Sequence, residues 1–159
     1  MKEFHIDISV EFFALDELAE GDRRLIELAK EMTATSYSPY SHFSVGAALQ
    51  LEDGQVFTGS NQENAVFPVG LCAERVAFFA ASANAPKVAP VTLAIAARNQ
   101  EGFLAKPVTP CGSCRQALLE AETRFERPIR VVLYGTEGVY VVPSMRALLP
   151  LTFDGSELV

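Results

Sequence analysis

The sequence predicts an α/β layer structure, a mixed sheet covered by helices, on three observations. Short β-prone runs alternate with helical runs along the chain, a tight hairpin signal lies in the first half, and the central run "VTLAIAA" has the near-continuous apolar character of a strand buried on both faces. With 159 residues, 49% of them apolar, there is material for one core of ordinary size, so residues 1–159 are expected to form a single domain.

In chain order, "EFHIDISVE" places Phe4, Ile6, Ile8 and Val10 on one side with period two, which predicts a short half-buried strand. "GDRRLIELAKEMTAT" brings Leu25, Leu28, Ala29 and Met32 to one helical face, with Asp22 as N-cap. The turn-rich "SYSPYS" follows. Strands over 43–51 and 55–61 flank "EDG", where Asp53-Gly54 supplies the positive backbone angles of a hairpin. The loop "QENAVFPVG" leads into a helix over 72–83, then the "VTLAIAA" strand, then "ARNQEGFLAKPVT" as a surface loop. A second helix over 112–124 stops before Pro128, "IRVVLYG" and "VYVV" are strands, and "SMRALL" is a short terminal helix.

A formal charge of −7 and a pI near 4.8 repel phosphate backbones, which argues against a nucleic-acid partner. The N-terminus lacks a basic leader and an unbroken apolar stretch, and the longest apolar region, about 76–97, is interrupted by Asn84, Pro86, Lys87 and Pro90. No membrane span is expected, and the reading is of a cytoplasmic protein. Three cysteines, an odd number, all sit in two short motifs, so a disulfide framework is not expected.

Those motifs carry the chemistry. In Cys111-Gly-Ser-Cys114 two sulfurs at a helix start can converge on one point, and Cys72-Ala73-Glu74 adds a third sulfur with a carboxylate beside it. Three thiolates without a fourth suit catalytic zinc, which leaves one corner to water or substrate. His42 or His5 as fourth ligand would instead close a structural Cys₃His site. Glu74 favours the open site. It heads a helix continued by Val76, Ala77, Phe78 and Phe79, and a carboxylate held there next to a metal can accept and return a proton. Three thiolates leave excess negative charge on the site; helix N-termini and Arg75, expected to donate to ligand sulfurs, offset it. Arg115 reads as an exposed helix charge.

The pattern Cys72-Ala73-Glu74 with Pro110-Cys111-Gly112-Ser113-Cys114 resembles the zinc-deaminase signature, in which the glutamate shuttles protons without binding metal. "SYSPYSHFSVGAAL", "GSNQENA", "GLCAERVA", "TPCGSCRQ" and "LLPLTF" are similar to the small tetrameric cytidine deaminases over roughly residues 22–155, which leaves 1–21 as an N-terminal extension. The resemblance implies a three-layer α/β/α cytidine deaminase-like fold and hydrolytic deamination of cytidine and deoxycytidine in pyrimidine salvage. It implies that Cys72, Cys111 and Cys114 hold zinc, that Glu74 is catalytic and that Arg75 supports the thiolates. Phe43 would pack on the pyrimidine, the Ala73 amide would donate to its carbonyl, and Asn61 and Glu63 would hold the ribose hydroxyls. Phe153 would enter the site from another subunit of a homotetramer with shared active sites, and Tyr40 would line the same region. Independently, a carboxylate at Glu63 accepts from sugar hydroxyls and repels phosphate, which favours a nucleoside over a nucleotide. Another amino-heterocycle as substrate, or a non-catalytic zinc-stapled assembly module, are the competing readings. Gln62, Val66 and Phe67 depart from the family pattern, so a contact needing a phenol at 67 is not expected.

Overall fold

Seven strands build one mixed sheet in the computed structural model, which describes residues 1–158 apart from the Glu157 side chain. They are β1 (Glu11–Phe13), β2 (Ser44–Leu51), β3 (Val56–Ser60), β4 (Pro90–Asn99), β5 (Gly102–Phe103), β6 (Arg130–Gly135) and β7 (Gly138–Val142). The order is β1-β7-β6-β4-β2-β3, with β5 folded back on the end of β4. Only β4 and β6 run parallel, and the connection between them contains a helix, as parallel neighbours require.

Period two in the strands produces two cores. Ala47, Leu49, Leu93, Ile95, Val131 and Leu133 point to one face, against Ala73, Ala77 and Ala81 of α2 (Ala73–Asn84) and Leu118 and Ala121 of α3 (Gly112–Phe125). Ala48, Ala94, Ala96, Val132, Val139 and Val141 point to the other, against Leu25, Ile26 and Ala29 of α1 (Glu20–Met32). The result is a mixed sheet covered by helices, in the three-layer α/β/α arrangement that the resemblance implies. Alanines on β2 and β4 let the helices lie close, and full burial of a side chain such as Ile26 contributes roughly 1.5–3 kcal/mol.

Two features set the height of α2. Gly54, at φ 87, turns the β2–β3 hairpin, and Gly59 on β3 faces the first turns of the helix. A Cβ at Gly59 would stand 2.5 Å from the Ala73 carbonyl oxygen and 2.6 Å from the Ala77 nitrogen, so the strand and helix backbones are in direct contact.

Several expectations need correction. Phe4, Ile6, Ile8 and Val10 are exposed, and residues 1–10 form no strand; pairing with β7 begins only at Glu11. In the observed register, where Glu11 faces Val141, position 9 would face Pro143, which has no N–H to donate, so the ladder within the chain stops. Helix α1 starts at Glu20 with Ala19 at its N-cap; Asp22 instead pairs with Arg130 at 2.6 Å. The buried face of α1 includes Ile26, whereas Leu28 and Met32 are only partly covered. The expected loop 97–109 is shortened by the β4–β5 hairpin, leaving 104–109 irregular. "SMRALL" makes only a single 3₁₀ turn, Arg146–Leu148.

The sequence reading overlooked Glu122. It is 7% exposed on the packed side of α3, and its carboxylate accepts from the backbone N–H of Ile129 (2.7 Å), Met145 (2.7 Å) and Arg146 (2.9 Å). These bonds attach the C-terminal segment to the helix that bears Cys114. Glu122→Gln turns one acceptor into a donor facing N–H groups and is expected to lower unfolding stability by about 1–3 kcal/mol, read from urea titration, with metal content unchanged.

Candidate active site

The chain crosses the site in four passes, each pinned locally. At the head of α2, Cys72 occupies the N-cap with extended backbone, which puts Ala73, Glu74 and Arg75 in the first helical turn. Cys111 is likewise the N-cap of α3, and Cys114 lies in that helix's first turn. The first amides of a helix have no partner within it, so both cysteine motifs meet unpaired N–H groups and the positive end of a helix dipole.

The three sulfurs converge. Cys72 Sγ lies 3.7 Å from Cys111 Sγ, Cys111 Sγ lies 3.4 Å from Cys114 Sγ, and all three fall within 4.8 Å of one another. A tetrahedral centre with Zn–S bonds near 2.3 Å separates its sulfurs by about 3.8 Å, so the triad fits zinc with little rearrangement. Among the described residues no histidine or carboxylate joins these sulfurs in a metal-competent group. His42 is exposed at φ 54 in the loop before β2 and His5 is in the exposed N-terminal segment, so neither closes a Cys₃His site.

Electrostatics follow the same geometry. The Cys114 thiol hydrogen-bonds to the Cys72 sulfur and, against the cost of burial, this and the Arg75 guanidinium bring the Cys72 thiol down to about 5. Cys114, fully buried, is pushed up by the same hydrogen bond and by burial. Arg75 Nη2 donates to Cys72 Sγ at 3.8 Å, as expected for a group that offsets thiolate charge, while its Nε is buried without a partner.

Glu74 is 4% exposed. Burial raises its carboxyl pKa, and the neighbouring Cys72 thiolate pushes the same way. It lines a cavity of about 410 Å³ together with Phe43, Asn61, Glu63, Cys72 and Cys111. A more open cavity of about 570 Å³ shares Asn61, Glu63 and Cys72 and is walled by Tyr40 and Phe67, whose rings meet edge to face at 5.7 Å.

The loop residues are held by one another. Asn61 Oδ1 accepts from Ser36 Oγ (2.6 Å) and Val45 N (2.8 Å), and its Nδ2 donates to the Phe43 carbonyl (2.9 Å). Three of the amide's four hydrogen-bonding positions are thus used within the chain, so Asn61 first of all aims Phe43 into the cavity. Glu63 Oε2 accepts from the Tyr40 (2.9 Å) and Ser41 (3.2 Å) amides, and the Ser41 hydroxyl, ahead of these amides, holds its carboxyl below the usual range. Gln62 exchanges backbone hydrogen bonds with Leu71, which brings Glu63 beside Cys72, and its side-chain amide donates to Ser60 Oγ and the Thr35 carbonyl. That departure therefore serves the loop.

Phe153 does not reach either cavity in its own chain; it is 61% exposed, and Gln116 Nε2 donates to its carbonyl. Arg115 is not a free surface charge. It donates to the Pro110 carbonyl (2.8 Å), the Leu148 carbonyl (2.7 Å) and Thr109 Oγ1 (3.1 Å), clamping the segment before Cys111. Val108 and Thr109, not singled out in the sequence, also line the smaller cavity; irregular loop residues carry no periodicity that would reveal this.

A family model, the cytidine and deoxycytidylate deaminase zinc-binding region, matches residues 19–127. The chain belongs to this family. Cytidine deaminase from Sporosarcina psychrophila is 36% identical over 135 residues, covering 85% of this chain and 93% of that protein. The Halalkalibacterium halodurans cytidine deaminase is 36% identical over 137 residues, covering 84% and 95%. Among solved structures, cytidine deaminase from Burkholderia pseudomallei superposes with TM-score 0.70 at 38% identity, covering 86% of this chain and all of that one. The Mycobacterium tuberculosis enzyme superposes with TM-score 0.63 at 31% identity, covering 82% and 95%. The matched stretch of this deaminase-family chain contains both cysteine motifs and Glu74, and the family's metal is zinc.

Proposed function

We propose that the protein hydrolyses cytidine and deoxycytidine to uridine and deoxyuridine with release of ammonia, as a zinc enzyme of pyrimidine salvage. The observation that carries this reading is the convergence of three sulfurs within 4.8 Å, with Cys72, Cys111 and a buried carboxyl lining one cavity. Cys72, Cys111 and Cys114 would hold the metal. Zinc bound there lowers the pKa of a water and so supplies a nucleophile at neutral pH.

The chain's own groups do the rest. Glu74 accepts the proton of the attacking water and delivers it to N3 of the cytosine ring as oxygen adds to C4. It then takes the proton of the new C4 hydroxyl and hands it to the 4-amino group; the C4–N bond breaks as the C4=O bond forms, and ammonia leaves. Burial suits Glu74 to both transfers, because a carboxyl in an apolar wall exchanges protons more readily near neutrality than a solvated one. Phe43 stacks on the ring, the Ala73 amide at the α2 N-terminus donates to the base carbonyl, and Arg75 damps the negative charge of the thiolates. Asn61 and Glu63 receive the ribose hydroxyls, with Tyr40 at the rim.

In this reading residues 1–159 are one deaminase-like domain, with 1–21 as an extension, working in a reducing cytoplasm where the thiols stay free for metal. No helix among the described residues is long and apolar enough to cross a membrane. The exposed Phe153 supports an assembly, a homotetramer with shared sites, in which this ring completes a neighbour's cavity.

The direct test is loss of absorbance at the cytosine band when zinc-loaded protein meets cytidine. No turnover of cytidine or deoxycytidine, with turnover of another amino-heterocycle, would reassign the substrate. The 5′-monophosphate is expected to react with kcat/KM lower by at least about tenfold, because Glu63 and the net charge of −7 oppose phosphate. Equal values for nucleoside and nucleotide would contradict the role given to Glu63.

A further inference from the structure

The N-terminal segment is outside the matched family region, which begins at residue 19. Every second residue from Phe4 to Phe12 is apolar, and all five are exposed in the single chain: Phe4 77%, Ile6 47%, Ile8 45%, Val10 48% and Phe12 60%. The intervening His5, Asp7, Ser9 and Glu11 are exposed as well. Such a row has strand chemistry, yet its ladder with β7 ends at the Glu11–Val141 pair, and Pro143 further along has no N–H to continue it. Strand β1 is also the end of the sheet: β7 lies on one side, and among the described residues no strand pairs on the other. An exposed apolar edge of this length associates with another strand unless something covers it.

The segment is complementary to itself. An antiparallel pair about a two-fold axis sets residue i opposite j and j opposite i. Centred on Ile8, the register puts Phe4 against the partner's Phe12, Ile6 against the partner's Val10, and Ile8 against the partner's Ile8. On the other face it puts His5 against the partner's Glu11 and Asp7 against the partner's Ser9. Aromatic and β-branched pairs on one face, with a base opposite an acid on the other, are the favourable cross-strand combinations. Slipping by two residues one way sets Asp7 against the partner's Asp7 and Glu3 against the partner's Glu11; slipping the other way sets Asp7 against the partner's Glu11. Like charges directly opposite disfavour both slips, and a slip by one residue would put the apolar row on the wrong face.

We propose that residues 4–12 pair antiparallel with the same residues of a second copy about a two-fold axis at Ile8, joining the β1 edges of two chains into one continuous sheet. The occupant of this edge is another molecule of the same protein, and the contact is separate from any assembly that the deaminase core makes by itself.

Cysteine cross-linking on zinc-loaded protein tests the register, with wild type reporting background from the native thiols. All sites used are exposed in the single chain, so the variants keep their fold, which zinc content verifies. Ile8→Cys is expected to form a covalent dimer under mild oxidation at least about tenfold faster than Ile6→Cys or Val10→Cys alone, because only position 8 faces itself. Mixing Ile6→Cys chains with Val10→Cys chains is expected to yield the mixed dimer. Adding His5→Glu to Ile8→Cys should slow cross-linking, and adding Glu11→His to that variant should restore it. Equal rates for the three single variants, absence of the mixed product, or no effect of the charge change would overturn the proposal.

Discussion

Glu74→Gln is expected to bind one zinc per chain like the wild type and to lose at least about 10³-fold in kcat on cytidine, about 4 kcal/mol of transition-state stabilisation. The size follows from one group serving two proton transfers. The amide cannot take the proton of the attacking water and cannot return one to the amine, while its shape keeps the cavity wall intact. KM should change much less, since Phe43, Asn61 and Glu63 remain in place. Metal content by atomic emission and single-turnover rates on the same preparation check both halves. Normal zinc with near-normal turnover would remove Glu74 from the mechanism.

Cys114→Ala is expected to abolish both metal retention and activity. Cys114 is the fully buried member of the triad, so solvent cannot readily replace its sulfur. In the wild type, zinc at about 1,000 times its dissociation constant should stabilise the folded state by about 4 kcal/mol, a rise in Tm of roughly 8–16 °C for a chain of this size. In Cys114→Ala that rise should vanish, and zinc should fall to background after dialysis. Since the thiols must ionise to bind metal and Cys114 starts with its pKa pushed up, zinc affinity in the wild type should increase with pH, as competition titrations would read.

Much of this site was legible because its chemistry is local. Cys72 and Glu74 lie within three residues, Cys111 and Cys114 within four, and each run heads a helix, so spacing set each pair together, while the meeting of the two runs rested on the resemblance to the zinc-deaminase signature. The strands were legible where burial imposed alternation, as in β2, or continuous apolarity, as in β4. What escaped depended on partners distant in sequence. The exposed state of Phe4 to Val10 turns on Pro143, just past the end of a strand more than about 130 residues away, and an alternating pattern reports only what a strand would bury. Asp22 was read as a cap because its local context permits one, but Arg130 from β6 claims it. Glu122 stands four residues after Leu118 on the packed side of α3, and an acid at that position is the signal that was available. Arg115 had no such signal, since the carbonyls it grips belong to a loop and to the end of a short 3₁₀ turn.

Zinc K-edge X-ray absorption on the loaded, substrate-free protein examines the arrangement on which the mechanism depends. The account predicts three sulfurs at about 2.3 Å and one light oxygen scatterer at about 2.0 Å, without the multiple-scattering pattern of an imidazole ring. A histidine nitrogen or a fourth sulfur in that last position would show a closed structural centre and contradict hydrolysis at this site.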